Sequence, residues 1–167
     1  MSLDKFFNPQ SVAIVGASQS KGKVGYEILS NIIDGGYKGG IFPVNNKITS
    51  ILGLKCYPDI KSIGQTPDLV IIVIPAKSVP DLMRQCAKAG VKSVVVITAG
   101  FKEVGKEGKE LEQQVVRIAK EAGIRVIGPN CLGLIVTSSR LNASFGGDMP
   151  TAGATGYISQ SGALLAA

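Results

Sequence analysis

The chain has 167 residues, 45% hydrophobic and 18% charged, with 21 Gly, 3 Cys and neither His nor Trp. That length suits one domain, or one domain and part of another, and it buries enough surface to fold without disulfides or a structural metal, which excludes disorder. The formal net charge of +6 is spread along the chain, so a solvated basic surface explains it as readily as a polyanionic partner, and no nucleic acid is expected; without His the chain itself carries no Ser-His-Asp triad, Cys-His dyad, His metal site or phosphohistidine.

In chain order, Asp4, Lys5 and Asn8-Pro9 stand where a signal peptide needs an apolar core. Short β-branched runs predict strands at Ser11 to Val15, Gly40 to Val44, Asp68 to Ile74, Val91 to Thr98 and Ile124 to Ile127. They are apolar on both faces, as parallel strands covered by helices must be. Between them, Val24, Ile28, Leu29, Ile32 and Ile33 fall at helical spacing before Gly35-Gly36. Ser78-Val79-Pro80-Asp81 predicts a second helix, capped by the Ser and running to about Ala89, and a third spans Lys106 to Ala122, closed by Gly123. The expected fold is α/β, a Rossmann-like doubly wound parallel sheet, over residues 1–137.

Ser62 to Pro67 reads as an ordinary connection. From Ser138 the composition turns to Ser, Gly, Asn and Pro, which predicts a linker over 138–155. After it, Gly156 to Ser159 reads as a new strand and Gln160 onward as a helix start. Together 156–167 would be the truncated beginning of a second α/β domain. The longest apolar runs, Leu69 to Ile74 and Val94 to Ile97, are too short to span a bilayer. Cys56, Cys86 and Cys131 form no CxxC pair, so reduced thiols and a cytoplasmic location are expected, with no membrane partner and no metal.

Ligands of open parallel sheets bind beyond the carboxyl ends of the strands, so the segments that follow the strands are the candidate site. The first, Gly16-Ala17-Ser18-Gln19-Ser20-Lys21-Gly22, is Gly-rich and opens a helix whose N-terminus can hold a phosphate. It is not GxGxxG, because Ser18 and Lys21 stand where that pattern needs Gly. Nor is it a P-loop, because five residues separate Gly16 from Gly22 and Val24 replaces the Mg²⁺-binding Ser/Thr. A tight turn with no ligand stays open as the alternative. After the second strand, ~20 residues or so past the glycines, NAD enzymes carry Asp or Glu for the ribose. Here the sequence is Asn45-Asn46-Lys47. A Lys suits a phosphorylated ribose, that of NADP or CoA, while a surface Lys in a turn is the competing reading. Cys131 lacks a neighbouring base and reads as a packing residue. Ser159-Gln160-Ser161-Gly162 is either a phosphate-ready helix N-terminus or plain Ser capping.

Taken together, these loops resemble the CoA-binding domain of the succinyl-CoA synthetase α subunit and the NDP-forming acyl-CoA synthetases. The opening Phe7-Asn8-Pro9-Gln10-Ser11-Val12-Ala13-Ile14-Val15-Gly16-Ala17-Ser18 is most similar to the ADP-forming acetate–CoA ligase branch. Ile74-Pro75-Ala76, Thr98-Ala99-Gly100-Phe101, Gly128-Pro129-Asn130-Cys131-Leu132-Gly133 and Ile158 to Leu164 continue the resemblance in order. It implies a ligase that converts acyl-CoA, ADP and phosphate to acid, CoA and ATP through an acyl phosphate and a phosphohistidine. It implies CoA contacts at Gly16, Ser18, Gln19, Ser20, Lys21, Lys47, Pro75, Thr98, Ala99 and Asn130, and a phosphoryl site at Ser161 and Gly162.

The resemblance places the catalytic His in the second domain, so no catalytic residue is expected in this chain and it should bind CoA without turnover. ATP or ADP with Mg²⁺ would bind an ATP-grasp domain or β subunit. The position of the succinate-binding Tyr falls near Ala166, which favours a smaller or less polar acyl substrate. Two other readings are a CoA-binding regulatory module of a larger protein, such as a protein acetyltransferase, and an NADP-binding redox protein. The absent GxGxxG counts against the last.

Overall fold

The computed structural model describes residues 3–162. Its centre is a five-stranded parallel sheet of β1 (Ser11–Val15), β2 (Gly40–Val44), β5 (Leu69–Ile72), β6 (Ser93–Val96) and β7 (Arg125–Ile127), in the order β2-β1-β5-β6-β7. The expected doubly wound parallel sheet is therefore what the chain forms, with the five strands predicted for it each at its predicted place. Helices α2 (Val24–Asp34), α3 (Val79–Lys88) and α4 (Lys106–Ala122) are the three read from apolar spacing and from the Ser-Val-Pro-Asp start. Gly123, at φ +64°, ends α4 by taking the left-handed conformation that a side chain resists. Ser78, expected to cap α3 through its hydroxyl, makes no such bond; it closes a 3-10 turn, Ala76–Ser78, that runs directly into the helix.

Each strand's residues alternate between two cores, which is why the strands are apolar throughout. Ala13, Val15, Val70, Ile72, Val94 and Val96 face α3 and α4, where Val79, Met83, Cys86 and Val115 meet them. Val12, Ile14, Leu69, Ile71, Val95 and Ile97 face the other way, onto Ile28, Leu29 and Ile32 of α2. Phe6 of α1 (Asp4–Phe7) joins this second core. So do Leu141 and Ala143 of an antiparallel hairpin, β8 (Gly133–Val136) and β9 (Leu141–Ser144).

That hairpin corrects the predicted linker at its start. Leu141, Asn142, Ala143 and Ser144 are all buried, and they are part of the domain. The strand expected over Gly156 to Ser159 is absent: those residues form no regular element, and Ile158 is 97% exposed. Among the described residues no neighbouring strand offers them hydrogen bonds, and an unpaired strand has nothing to hold it. The predicted helix after Ser161 falls mostly at 163–167, outside the described residues. A second small hairpin, β3 (Ser50–Ile51) and β4 (Leu54–Lys55), lies beyond the end of β2 and has no counterpart in the sequence reading. No helix among the described residues is long and apolar enough to cross a membrane.

Candidate functional site

The order of strands reverses between β1 and β5, where neighbouring connections leave on opposite faces and open a crevice. The first loop enters it at Gly16, whose φ of +95° and close approach both exclude a side chain: a Cβ there would lie 2.4 Å from the Val73 carbonyl oxygen. A second close approach, against the first loop itself, is that of Gly25, in the first turn of α2, where a Cβ would lie 2.1 Å from the Gly16 carbonyl oxygen. Gly25 thus lets the helix N-terminus press against the loop. The sequence reading gave Gly25 no role. A Gly at a position where helix propensity disfavours it was the available signal.

The first loop is tied down on several sides. Asn45, the residue standing where a dinucleotide enzyme has its carboxylate, donates its side-chain amide to the Ala17 carbonyl at 2.8 Å. The Gln19 side-chain amide donates to the Ser50 carbonyl in β3 at 2.9 Å, and the Ser18 hydroxyl accepts the Ser20 amide at 3.1 Å. The Gly22 amide donates to Glu27 of α2 at 2.7 Å. Of the four polar first-loop candidates, Gln19 and Ser18 therefore shape the loop, whereas Ser20 and Lys21 are exposed at its tip.

The remaining loops join on in sequence. The Thr98 hydroxyl donates to the Ile74 carbonyl at 2.8 Å, binding the segment after β6 to the one after β5, and the Asn130 amide donates to the Thr98 carbonyl at 3.0 Å. Pro75, Ala99 and Asn130 are exposed on this rim, Asn130 at φ +54°. The Cys131 thiol donates to the Val96 carbonyl at 3.3 Å, and burial pushes its pKa up to about 11, against two weaker backbone contacts. That is the wrong direction for a nucleophile. Ser161 and Gly162 are exposed, with the Ser161 amide bonded to the Ser159 hydroxyl at 3.0 Å and Gly162 beside Leu132.

A cavity of about 420 Å³ opens at the ends of β1 and β2, with Gly16, Asn46, Lys47, Ile60, Ile74 and Leu82 in its wall. It brings together Gly16 and Lys47; Ser18 to Lys21, Pro75, Thr98, Ala99 and Asn130 lie outside its lining. Its two carboxylates are already engaged. Asp59 accepts both the amide and the hydroxyl of Ser62 at 2.7 Å, which hold its pKa below the usual range, and Asp81 pairs with Arg84. Lys47 is exposed and pairs with no carboxylate among the described residues; its own amide donates to the Asn45 side chain at 2.9 Å, fixing the turn. A free ammonium beside an apolar wall suits a phosphate attached to a flat heterocycle. A larger depression, about 630 Å³, runs along the outer face of α4 and reaches Lys102 in the segment after β6. Among the described residues no three His, Cys, Asp or Glu side chains converge as metal ligands would.

The family described as "CoA binding domain" matches residues 10–137. The α subunit of acetate–CoA ligase [ADP-forming] I from Pyrococcus furiosus is 46% identical over 98% of this chain and 36% of its own length. Acetate–CoA ligase [ADP-forming] from Methanocaldococcus jannaschii is 48% identical over 94% of this chain and 22% of its own. Among solved structures, the dinucleotide forming acetyl-coenzyme A synthetase 1 of Ca. Korarchaeum cryptofilum, in complex with phosphate and ADP, matches with a TM-score of 0.93 and 44% identity, over 98% of this chain and 35% of that one. The chain thus spans about a third or less of the length of these relatives. The resemblance to ADP-forming acyl-CoA synthetases noted from the loops is borne out, and with a match over most of its length the chain belongs to the CoA-binding domain family.

Proposed function

We propose that this chain is the CoA-binding portion of an ADP-forming acyl-CoA synthetase, in which acyl-CoA, ADP and phosphate yield acid, CoA and ATP. The observation that carries the reading is Lys47. It lines a cavity that also has an apolar wall at Val15, Val44, Ile60, Ile74 and Leu82, at the strand end where an NAD enzyme needs a carboxylate, and Asn45 is committed to the first loop. The adenosine end of CoA fits the cavity, with its 3′-phosphate toward Lys47. The diphosphate then reaches Ser20, Lys21 and the N-terminus of α2, where backbone N–H groups and the helix dipole favour an anion. The arm follows the rim past Pro75, Thr98, Ala99 and Asn130. Ser161 and Gly162 would serve the phosphoryl group.

This chain has no His, so the phosphoryl carrier must be supplied by another part of the enzyme, as must the site for ADP and Mg²⁺ on an ATP-grasp domain or β subunit. Three free thiols, two of them buried, fit a reducing cytoplasm. The P. furiosus and M. jannaschii relatives are named for acetate, which fits the expectation of a small acyl substrate.

Calorimetric titration with CoA, dephospho-CoA and NADP tests the reading. An exposed ion pair contributes ~0–1 kcal/mol, whereas a hydrogen-bonded charge in a partly enclosed cleft contributes about 1.5–3 kcal/mol. The wild type should prefer CoA to dephospho-CoA about ten-fold, and Lys47→Glu should lose most of that preference. Equal discrimination by both proteins would make Lys47 a turn residue only, and tighter binding of NADP than of CoA would favour the redox reading.

A further inference from the structure

In the first loop one backbone amide, that of Gly22, goes to a carboxylate, whereas in the segment after β6 three consecutive amides do. The Gly100 and Phe101 amides both donate to one carboxylate oxygen of Glu103, at 2.6 and 3.1 Å. The next amide, Lys102, donates to Glu112 of α4 at 3.3 Å. The Val104 and Gly105 amides close the 3-10 turn on the Phe101 and Lys102 carbonyls. Every amide from 100 to 105 is thus held within the chain, that of Glu103 by its own carboxylate, and the three consecutive amides of Gly100, Phe101 and Lys102 go to carboxylates. Successive N–H groups beside a residue of positive φ, here Gly100 at +104°, form a concavity that attracts anions.

In this loop the anion is internal, and it is firmly charged. Burial works against ionisation of Glu103, but the Gly100 amide, its own amide, the Phe101 amide and the Lys102 charge outweigh it and hold its pKa below the usual range. The loop is rigid on either side of its tip. Phe101 is fully buried, and Gly108 approaches so closely that a Cβ there would lie 1.8 Å from the Phe101 carbonyl oxygen. Thr98 is bonded to the Ile74 carbonyl, and Gly100 abuts Ala76. Between these anchors Ala99 is the exposed residue.

We propose that Glu103 is a positioning residue: it fills the amide concavity after β6 with the chain's own charge, keeps phosphate away from this loop, and fixes Ala99 to receive the uncharged, amide-bearing arm of CoA. The inference rests on the CoA reading above. It divides the rim by chemistry, with free hydroxyl and ammonium groups at Ser20, Lys21 and Lys47 for the phosphates, and a loop with its donors filled for the neutral arm.

The test compares CoA with adenosine 3′,5′-bisphosphate, which carries phosphates but no arm, by calorimetry on the whole chain. Glu103→Ala should weaken CoA about five-fold or more while the bisphosphate changes less than about two-fold. Glu103→Gln keeps an oxygen that both amides can reach and should restore most of the CoA affinity. A purely structural role would weaken both ligands together, so equal loss, or loss of neither, overturns the proposal. Should Glu103→Ala not fold, Glu103→Asp, whose shorter side chain reaches the amides less well, carries the same comparison. Failure of the wild type to bind CoA would overturn the CoA reading itself; binding of both ligands without a split in the variants would overturn only the role of Glu103.

Discussion

Gly25 shows how a residue can matter through the atoms it lacks. A side chain there would meet the Gly16 carbonyl at 2.1 Å, a distance no rotamer can relieve, because the clash involves Cβ and backbone. In the dinucleotide fingerprint the last glycine provides this closeness of helix and strand. Here the same task falls nine positions after Gly16, past a longer loop, so a search for fixed spacing passes over it. We expect Gly25→Ala to cost about 1–3 kcal/mol in urea denaturation through overpacking, and to weaken CoA binding by moving the α2 N-terminus. Gly147→Ala, where a Cβ meets nothing within 4 Å, is the control and should stay within about 0.5 kcal/mol. Equal effects of the two substitutions would refute the close-approach argument. The same scale explains what the sequence hid about the site. Gln19 and Thr98 read as ligand contacts, but their hydrogen-bond partners, Ser50 and Ile74, are 31 and 24 positions away in the chain. Which polar side chains are already spoken for depends on such distant pairings, and local pattern does not carry them.

At the scale of elements, the central strands β1, β5 and β6 were legible because both faces of each are buried and so both must be apolar, while the edge strands β2 and β7, only partly buried, were legible from their β-branched and aromatic runs. The hairpin was illegible for the opposite reason. β9 reads Leu-Asn-Ala-Ser, and half of it is polar, yet Asn142 and Ser144 are about as buried as Leu141 and Ala143. Hydrogen bonds make that possible. The Ser144 hydroxyl donates to the Asn142 side chain at 2.7 Å, and the Asn142 amide group donates to the Gly147 carbonyl at 2.9 Å. From the helix side, the Asn31 amide group donates to the carbonyls of Ser144 and Gly146, at 2.9 and 3.0 Å, which fastens α2 to the hairpin. Each such bond contributes about 0.5–1.5 kcal/mol, so Asn31→Ala should destabilise the chain by roughly 1–3 kcal/mol. Asn31→Asp should be at least as damaging, since it turns an acceptor toward two carbonyl oxygens. Amide hydrogen exchange would show the loss concentrated at β8 and β9, with β1 protected as before. A uniform loss across the sheet would mean that Asn31 supports the whole core and not this junction.

For the molecule as a whole, the question is where the domain ends. The family match stops at residue 137, and composition alone placed a linker from 138, but the buried surfaces disagree with both. One face of the sheet is covered by α3 and α4, whereas on the other α2, α1, the β8–β9 hairpin and Ile51 and Cys56 of the β3–β4 region cover Val12, Ile14, Leu69, Ile71, Val95 and Ile97. Cutting the chain after 137 would remove β9, leave β8 without a partner and open the second core where Leu141 and Ala143 now sit, each fully buried. Burial of one Leu side chain is worth about 1.5–3 kcal/mol, and the Asn31 bonds to Ser144 and Gly146 would go as well. Against a typical domain stability of about 5–15 kcal/mol that is a large share. A chain ending at 150 keeps the Gly147 carbonyl that Asn142 uses and the Met149 side chain that lies against Gly35. We therefore expect the 1–150 chain to unfold in urea within about 1 kcal/mol of the full chain, since scattered surface changes cost little. The 1–137 chain should lose several kcal/mol, with a lower midpoint and weaker CoA binding, because α2 carries the N-terminus at which the diphosphate would bind and would have lost its cover. If 1–137 proves as stable as 1–150, the hairpin is an attachment to a domain already complete without it, and the boundary drawn by composition stands.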